Sequence, residues 1–272
     1  MDSVAGLTVV ITGAARGMGE MYAHRAVSEA AAHVVLLDVD SASLEVAASA
    51  LRAAGGSVAS YVVDLSSRTA IAAVAERIRI EVGDPQVVIN NAGIIRSGYF
   101  WDNEPIGDIE ATMQINTLAA MYLTREFLPA MIASTGPARI LNIASAAGTI
   151  SNPRMSVYAA SKWALIGWGD SLRLELIKAG HRNVMVTTFA PSYISTGMFA
   201  GARGPLLTPI MTPEKATTAA WSAMLRGKPL LMKPWSVGFA RAVKGLLPTR
   251  AWDFVAGRVF RVYGSMDEFT GR

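Results

Sequence analysis

The apolar positions of this chain fall into two alternating rhythms. Short runs dense in Val, Ile and Leu occupy residues 7–11, 34–37, 140–143 and 184–189. Runs of that length and composition predict strands buried on both faces, as in a parallel sheet. Between them lie longer segments with apolar residues at helical spacing, such as Tyr158, Leu165, Leu172 and Leu176. The alternation predicts an α/β architecture: a single doubly wound domain over 1–272 with a mostly parallel sheet. Its core is expected at about 5–229. A helical C-terminal extension is expected at about 230–272, where Trp252, Val255, Val259 and Val262 recur at helical spacing.

The first strand runs into a glycine turn, Thr12-Gly13-Ala14-Ala15-Arg16-Gly17-Met18-Gly19, and then a helical pattern. Glycine lets backbone approach a pyrophosphate, and a helix N-terminus offers free N–H donors and partial positive charge. The spacing is Gly-x-x-x-Gly-x-Gly, and a tight strand–helix turn without a ligand would use the same residues. Asp38 ends the second strand, nineteen residues after Gly19. An acid there can bind the ribose hydroxyls of a dinucleotide and repel a 2′-phosphate. Arg16, beside the turn, favours that phosphate instead. The strand-end position of Asp38 carries more weight, so NAD(H) is expected over NADP(H).

Residues 140–143 deliver Ser145 to a strand's C-terminal end, where ligands bind in open α/β sheets. Tyr158 and Lys162 follow at i and i+4 on one helix face. A free phenol titrates near ~10, too high for efficient acid–base work at neutral pH. An adjacent ammonium is expected to lower it, and Ser145 can hydrogen-bond a substrate oxygen. Together with the glycine turn, these residues point to hydride exchange between a nicotinamide and a carbonyl or alcohol.

The order and separation of Thr12-Gly-x-x-x-Gly-x-Gly19, Asp64, Asn90-Asn91-Ala92-Gly93, Asn116, Ser145, Tyr158-x-x-x-Lys162 and Pro191 followed by Thr196 resemble the short-chain dehydrogenase/reductase family over residues 5–200. The resemblance implies a Rossmann fold and a nicotinamide-dependent oxidoreductase acting on CH–OH groups. It implies that Asn116, Ser145, Tyr158 and Lys162 are catalytic, Asn116 holding a water that relays protons from Lys162. Asp64, with Leu65 beside it, would contact the adenine. Asn90 would support the central strand, with Asn91, Ala92 and Gly93 lining the cofactor. Ile194 and Thr196, following Pro191, would hold the nicotinamide carboxamide. Tyr158 and Lys162 also count among the cofactor contacts, as do Gly13, Arg16, Gly17 and Met18. The family's usual Pro-Gly is Pro191-Ser192 here.

Composition narrows the picture. The absence of cysteine excludes disulfides, thiol catalysis and zinc–thiolate sites. His24, His33 and His181 lie apart, so no metal is expected. The net charge of +4 is uneven: residues 228–272 carry a local balance of +5 and the rest −1. No nucleic-acid motif accompanies the basic tail, and no such partner is expected. The N-terminus lacks a basic leader region, and the charge-free stretch 183–202 is broken by Pro191, Gly197 and Gly201. A cytoplasmic protein is the expectation.

Residues 197–212 mix glycine, proline and large apolar groups, as a mobile, greasy lid would. Met155, Tyr193, Met198, Phe199, Leu206 and Leu207 are the expected pocket walls. Only Arg154 and Arg203 in this region could clamp an anion, so the expected substrate is a hydrophobic secondary alcohol or ketone. Thr196-Gly-Met-Phe199, Leu246-Leu-Pro248 and Met266-Asp-Glu-Phe269 resemble the branch containing retinol and 17β-hydroxysteroid dehydrogenases. That implies a retinoid-, steroid- or other lipid-like or aryl-alkyl substrate. The aromatic tail is expected to dock on protein in preference to a membrane. Apolar helices near Met121–Leu128 and Ile166–Leu176, with the pairing habit of the family, imply a homodimer or homotetramer. A non-catalytic dinucleotide sensor or scaffold on the same fold is the rival reading, and Tyr158 with Lys162 favours the enzyme.

Overall fold

The computed structural model describes residues 1–271; Arg272, the last residue of the expected extension, lies outside the described residues. Seven strands form one sheet: β1 (Thr8–Thr12), β2 (His33–Asp38), β3 (Val58–Val62), β4 (Val87–Asn90), β5 (Ala138–Ile143), β6 (Val184–Pro191) and β7 (Leu230–Lys233). Their order is β3-β2-β1-β4-β5-β6-β7, and every neighbouring pair runs parallel. The expected parallel character is therefore complete.

Helices cover both faces. They are α1 (Gly17–Ser28), α2 (Ser41–Ala53), α3 (Arg68–Glu81), α4 (Ala119–Ala133), α5 (Ser156–Lys178) and α6 (Pro213–Leu225). The period-two alternation of a strand divides the core. Val9, Ile11 and Leu36 pack with Tyr22, Leu44 and Trp221 on one side. Val10, Val35 and Val88 pack with Ile71, Phe127 and Leu176 on the other. The strand order reverses between β1 and β4, which opens a crevice at the carboxyl ends of the strands.

The last strand falls inside the segment expected as an extension, since Phe189 and Leu231 pair across β6 and β7. Beyond it come α7 (Trp235–Leu246), α8 (Thr249–Phe254) and a π-helical turn, Val255–Val259. Trp252 is buried with Ile150 and Ala256, and Val255 and Val262 pack against them. Three residues of the expected stripe thus dock on the domain, whereas Val259 is exposed. The tail then fastens the lid: the backbone N–H groups of Arg203 and Leu206 donate to the Ser265 and Phe260 carbonyls, and Thr270 N–H to Ala200, each at 2.9 Å. The expected mobile lid is thus tied at three places. Among the described residues, no helix is long and apolar enough to cross a membrane.

Candidate active site

A groove of about 830 Å³ lies over the switch point, lined by the glycine turn and the ends of β2, β4, β5 and β6. Gly13 and Gly17 hold φ of +62° and +61°, the left-handed region that glycine adopts freely. A Cβ on Gly13 would meet Ala92 Cα at 2.9 Å, and one on Gly19 would collide with the Gly13 carbonyl. Bare backbone therefore faces the groove. Thr12 Oγ1 accepts the N–H groups of Asn91 and Ala92 at 3.0 Å, while Asn91 Nδ2 donates to the Thr12 and Gly13 carbonyls. Thr12 and Gly19, expected as cofactor contacts, brace the turn without lining the groove.

The remaining expected cofactor residues line it: Arg16, Met18, Asp38, Asp64, Leu65, Asn91, Ala92, Gly93, Pro191, Ile194 and Thr196, with Gly13 and Gly17. The Asp38 carboxylate accepts the N–H groups of Ala15, Val39 and Asp40 at 3.0, 2.8 and 3.1 Å, which fixes it at the groove's edge. Arg16, largely exposed, lies 3.3 Å from Asp40. Asp64 Oδ1 accepts from the Ser66 backbone and hydroxyl, a turn role alongside its place in the groove. A glycine turn at the groove's wall with a fixed carboxylate at one end fits a dinucleotide.

Ser145, at the exit of β5, caps a short 3₁₀ turn by accepting the Ala147 N–H at 3.2 Å. Its hydroxyl also interacts with the Tyr158 phenol. Tyr158 and Lys162, on the first turns of α5, are each 4% exposed. Lys162 Nζ donates to the Ile143 carbonyl at 3.0 Å and lies 5.8 Å from the centre of the Tyr158 ring. Burial pushes the Tyr158 phenol up to about 12; Ser145 opposes the shift and Tyr193 adds to it. This corrects the expected lowering by Lys162. Desolvation dominates, and it also draws the Lys162 ammonium down to about 8. The phenol is held neutral, as a proton donor must be.

Asn116 sits in a π-helical turn, Gln114–Leu118, before α4. Its Oδ1 accepts Ile94 N–H at 2.7 Å, and its Nδ2 donates to the Ile94 carbonyl at 2.9 Å and Ser161 Oγ at 3.1 Å. Both amide protons are spent on clamping the loop after β4 to α5. A Cβ on Gly93 would stand 3.2 Å from Asn116 Oδ1 and 3.3 Å from Lys162 Nζ, so the clamp leaves little room beside the lysine.

Burying Lys162 has a stability cost with a definite sign. Its folded pKa of about 8 lies below the ordinary 10.5. The folded state binds this proton more weakly than the unfolded state, so the penalty is fully present below pH 8. It fades as pH rises towards 10.5 and is on the order of 3 kcal/mol. Lys162→Met should melt at a higher temperature than wild type at pH 7, with the gap closing near pH 10. Thermal melts at the two pH values measure this. A gap independent of pH would contradict the buried charge.

An apolar chamber opens beside Ser145. Met155, Tyr193, Phe199, Leu206 and Leu207 line it as expected, whereas Met198 turns to the cofactor groove. Phe199 packs edge-on against Tyr158 and Tyr193. Sequence reasoning missed Asn152, Trp235, Phe239 and Phe260 in this chamber, and Thr270 and Gly271 in the groove. Trp235 and Phe239, i and i+4 on α7, carried a readable signal; Asn152 carried none. Arg154 lies over the Tyr99 ring and Arg203 pairs with Glu268, and neither lines the chamber. Among the described residues, no group of three His, Cys, Asp or Glu is placed to hold a metal.

A nucleotide cradle and a buried phenol opening on the same crevice define the class, an oxidoreductase on a dinucleotide fold. The short chain dehydrogenase family model matches residues 7–205, and the chain belongs to that family. It is 32% identical to estradiol 17-beta-dehydrogenase 11 of Pongo abelii over 249 residues, covering 91% of this chain and 81% of that protein. It is 33% identical to epidermal retinol dehydrogenase 2 of Mus musculus over 273 residues, covering 99% and 87%. The C-terminal motifs thus pointed to the branch where relatives are found. A short chain dehydrogenase/reductase from Burkholderia phymatum in complex with NAD shares the fold, with a TM-score of 0.82 at 24% identity over 90% of this chain and 95% of that one. Solved structures of this fold hold NAD, NADP or NADPH.

Proposed function

We propose that the protein exchanges a hydride between NAD(H) and a hydrophobic secondary alcohol or ketone. One observation carries this reading: Ser145, Ser192 and Phe199 line both the cofactor groove and the apolar chamber, so the two spaces meet at Ser145. Ser192, the departure from the family's glycine, sits at that junction with its N–H bonded to the Lys233 carbonyl at 2.8 Å.

The backbone from Gly13 to Met18 would hold the pyrophosphate, Asp38 the adenosine ribose, and Asp64 with Leu65 the adenine. Pro191, Ile194 and Thr196 would hold the nicotinamide end, beside Tyr158 and Lys162. When bound, the nicotinamide supplies or accepts the hydride. In ketone reduction Tyr158 gives its hydroxyl proton to the carbonyl oxygen, and Ser145 donates a hydrogen bond to the same oxygen. In alcohol oxidation Tyr158 takes the proton back, and the Lys162 charge favours the phenolate needed for that step. Asn116 positions Lys162 through Ser161 and the loop at Ile94. The greasy chamber excludes anionic substrates for want of a cation on its wall. Nicotinamide absorbance with a panel of hydrophobic ketones and alcohols tests the reading. No turnover of any member with either NAD(H) or NADP(H) would overturn it.

Assembly belongs to the same proposal. Helix α5 leaves Trp163, Leu174 and Ile177 exposed, apolar surface that a two-fold partner would cover. Sedimentation should report a dimer or tetramer; a monomer mass at every concentration would contradict it.

A further inference from the structure

The apolar chamber has one polar corner. Asn152, 8% exposed, lines the chamber together with Tyr193. Asn152 Nδ2 donates to Ser265 Oγ at 2.9 Å and to the Tyr193 hydroxyl at 3.2 Å, and lies 3.6 Å from Met155 Sδ. Ser265 Oγ donates to the Val262 carbonyl at 2.7 Å. With that proton committed, the 2.7 Å contact between Tyr193 and Ser265 must be donated by Tyr193. Every proton of the three side chains is then spent inside the cluster. What remains is acceptor capacity, and Asn152 Oδ1 is buried with no partner at all.

A buried acceptor without a donor is costly, and a ligand that brings the donor removes the cost. The corner is also built from distant parts of the chain. Asn152 precedes α5, Tyr193 follows β6, and Ser265 comes from the tail. Their bonds tie the tail to the body of the domain, yet they leave the Asn152 oxygen without a donor.

We propose that this corner is a second recognition point for the substrate, and that it selects a molecule bearing a hydrogen-bond donor, such as a hydroxyl, away from the reacting carbon. The substrate class is then a hydrophobic hydroxy-ketone or diol, in preference to a diketone or plain hydrocarbon ketone. This rests on the reading of the chamber as the substrate site.

The test uses matched hydrophobic ketones that carry a distal hydroxyl, methyl or oxo group. Wild type should show kcat/KM about tenfold or more higher for the hydroxyl member than for the methyl or oxo member. Asn152→Leu should abolish that ratio; because the ratio is read within one variant, a general loss of activity cancels. Ser265→Ala is the complementary variant. It removes the acceptor that occupies Tyr193 and Asn152 Nδ2, freeing their protons, so the oxo member should gain relative to the hydroxyl member. A wild type indifferent to the distal group, or a hydroxyl preference that survives Asn152→Leu, overturns the proposal while leaving the oxidoreductase reading intact. If none of the three is turned over, calorimetric binding of the three compounds decides the corner by the same ratios, while the oxidoreductase reading is decided by the wider panel.

Discussion

Tyr158→Phe should lower turnover by ~10²-fold or more, the scale of a lost general acid, while NADH still binds. The substitution keeps the ring that packs edge-on against Phe199 and deletes only the hydroxyl. The fold should therefore be undisturbed. The loss should be large in ketone reduction because burial makes this phenol a neutral donor beside Ser145. The Lys162 ammonium is bonded to the Ile143 carbonyl, and that bond does not involve the deleted hydroxyl. With the cofactor held as proposed, by the glycine turn and Asp38 at the other end of the groove, fluorescence titration with NADH should show little change. Turnover near wild type in this variant would remove Tyr158 from the chemistry.

Asp38→Ser should reverse or nearly erase the cofactor preference. Wild type should favour NAD(H), because the Asp38 carboxylate is anchored by three backbone N–H groups at the groove's edge and cannot swing away from a 2′-phosphate. Arg16, the one residue of the turn that could welcome that phosphate, is engaged by Asp40. A hydrogen bond to a charged group contributes about 1.5–3 kcal/mol. Its loss should lower kcat/KM for NAD(H) by about tenfold or more. NADP(H) should gain as the repulsion disappears. Adding Asp40→Ser should extend the gain by releasing Arg16, since a serine can keep the cap that Asp40 places on Ser43 N–H at the start of α2. Steady-state kinetics with both cofactors decides the matter. A wild type that prefers NADPH would show that Arg16 outweighs Asp38.

Much of this site is legible in the sequence, because its parts are local. A β-branched run, a glycine turn and a helical repeat lie within residues 7–28, and Tyr158 and Lys162 share a face by helical spacing alone. The strand ends carrying Asp38 and Ser145 follow from short apolar runs. What could not be read depends on contacts between distant residues. Strand β7 has four residues between Pro229 and Pro234, too short for a pattern to declare it. The corner at Asn152 is closed by Ser265, far along the chain. The direction of the Tyr158 shift needed the depth of its burial, which spacing does not report. Met198 and Phe199 are neighbours in a lid, and only the tied lid shows that Met198 serves the groove and Phe199 both spaces.

The central claim is that a hydride passes to a carbonyl carbon held beside Ser145 and Tyr158. Reduction of a hydrophobic ketone with NADH deuterated at the transferring position of the nicotinamide tests it directly. Mass spectrometry of the alcohol should find one deuterium on the carbinol carbon, in a product that depends on the Tyr158 hydroxyl for its rate. An alcohol formed without that deuterium, or no alcohol across the panel with either cofactor, would contradict the account.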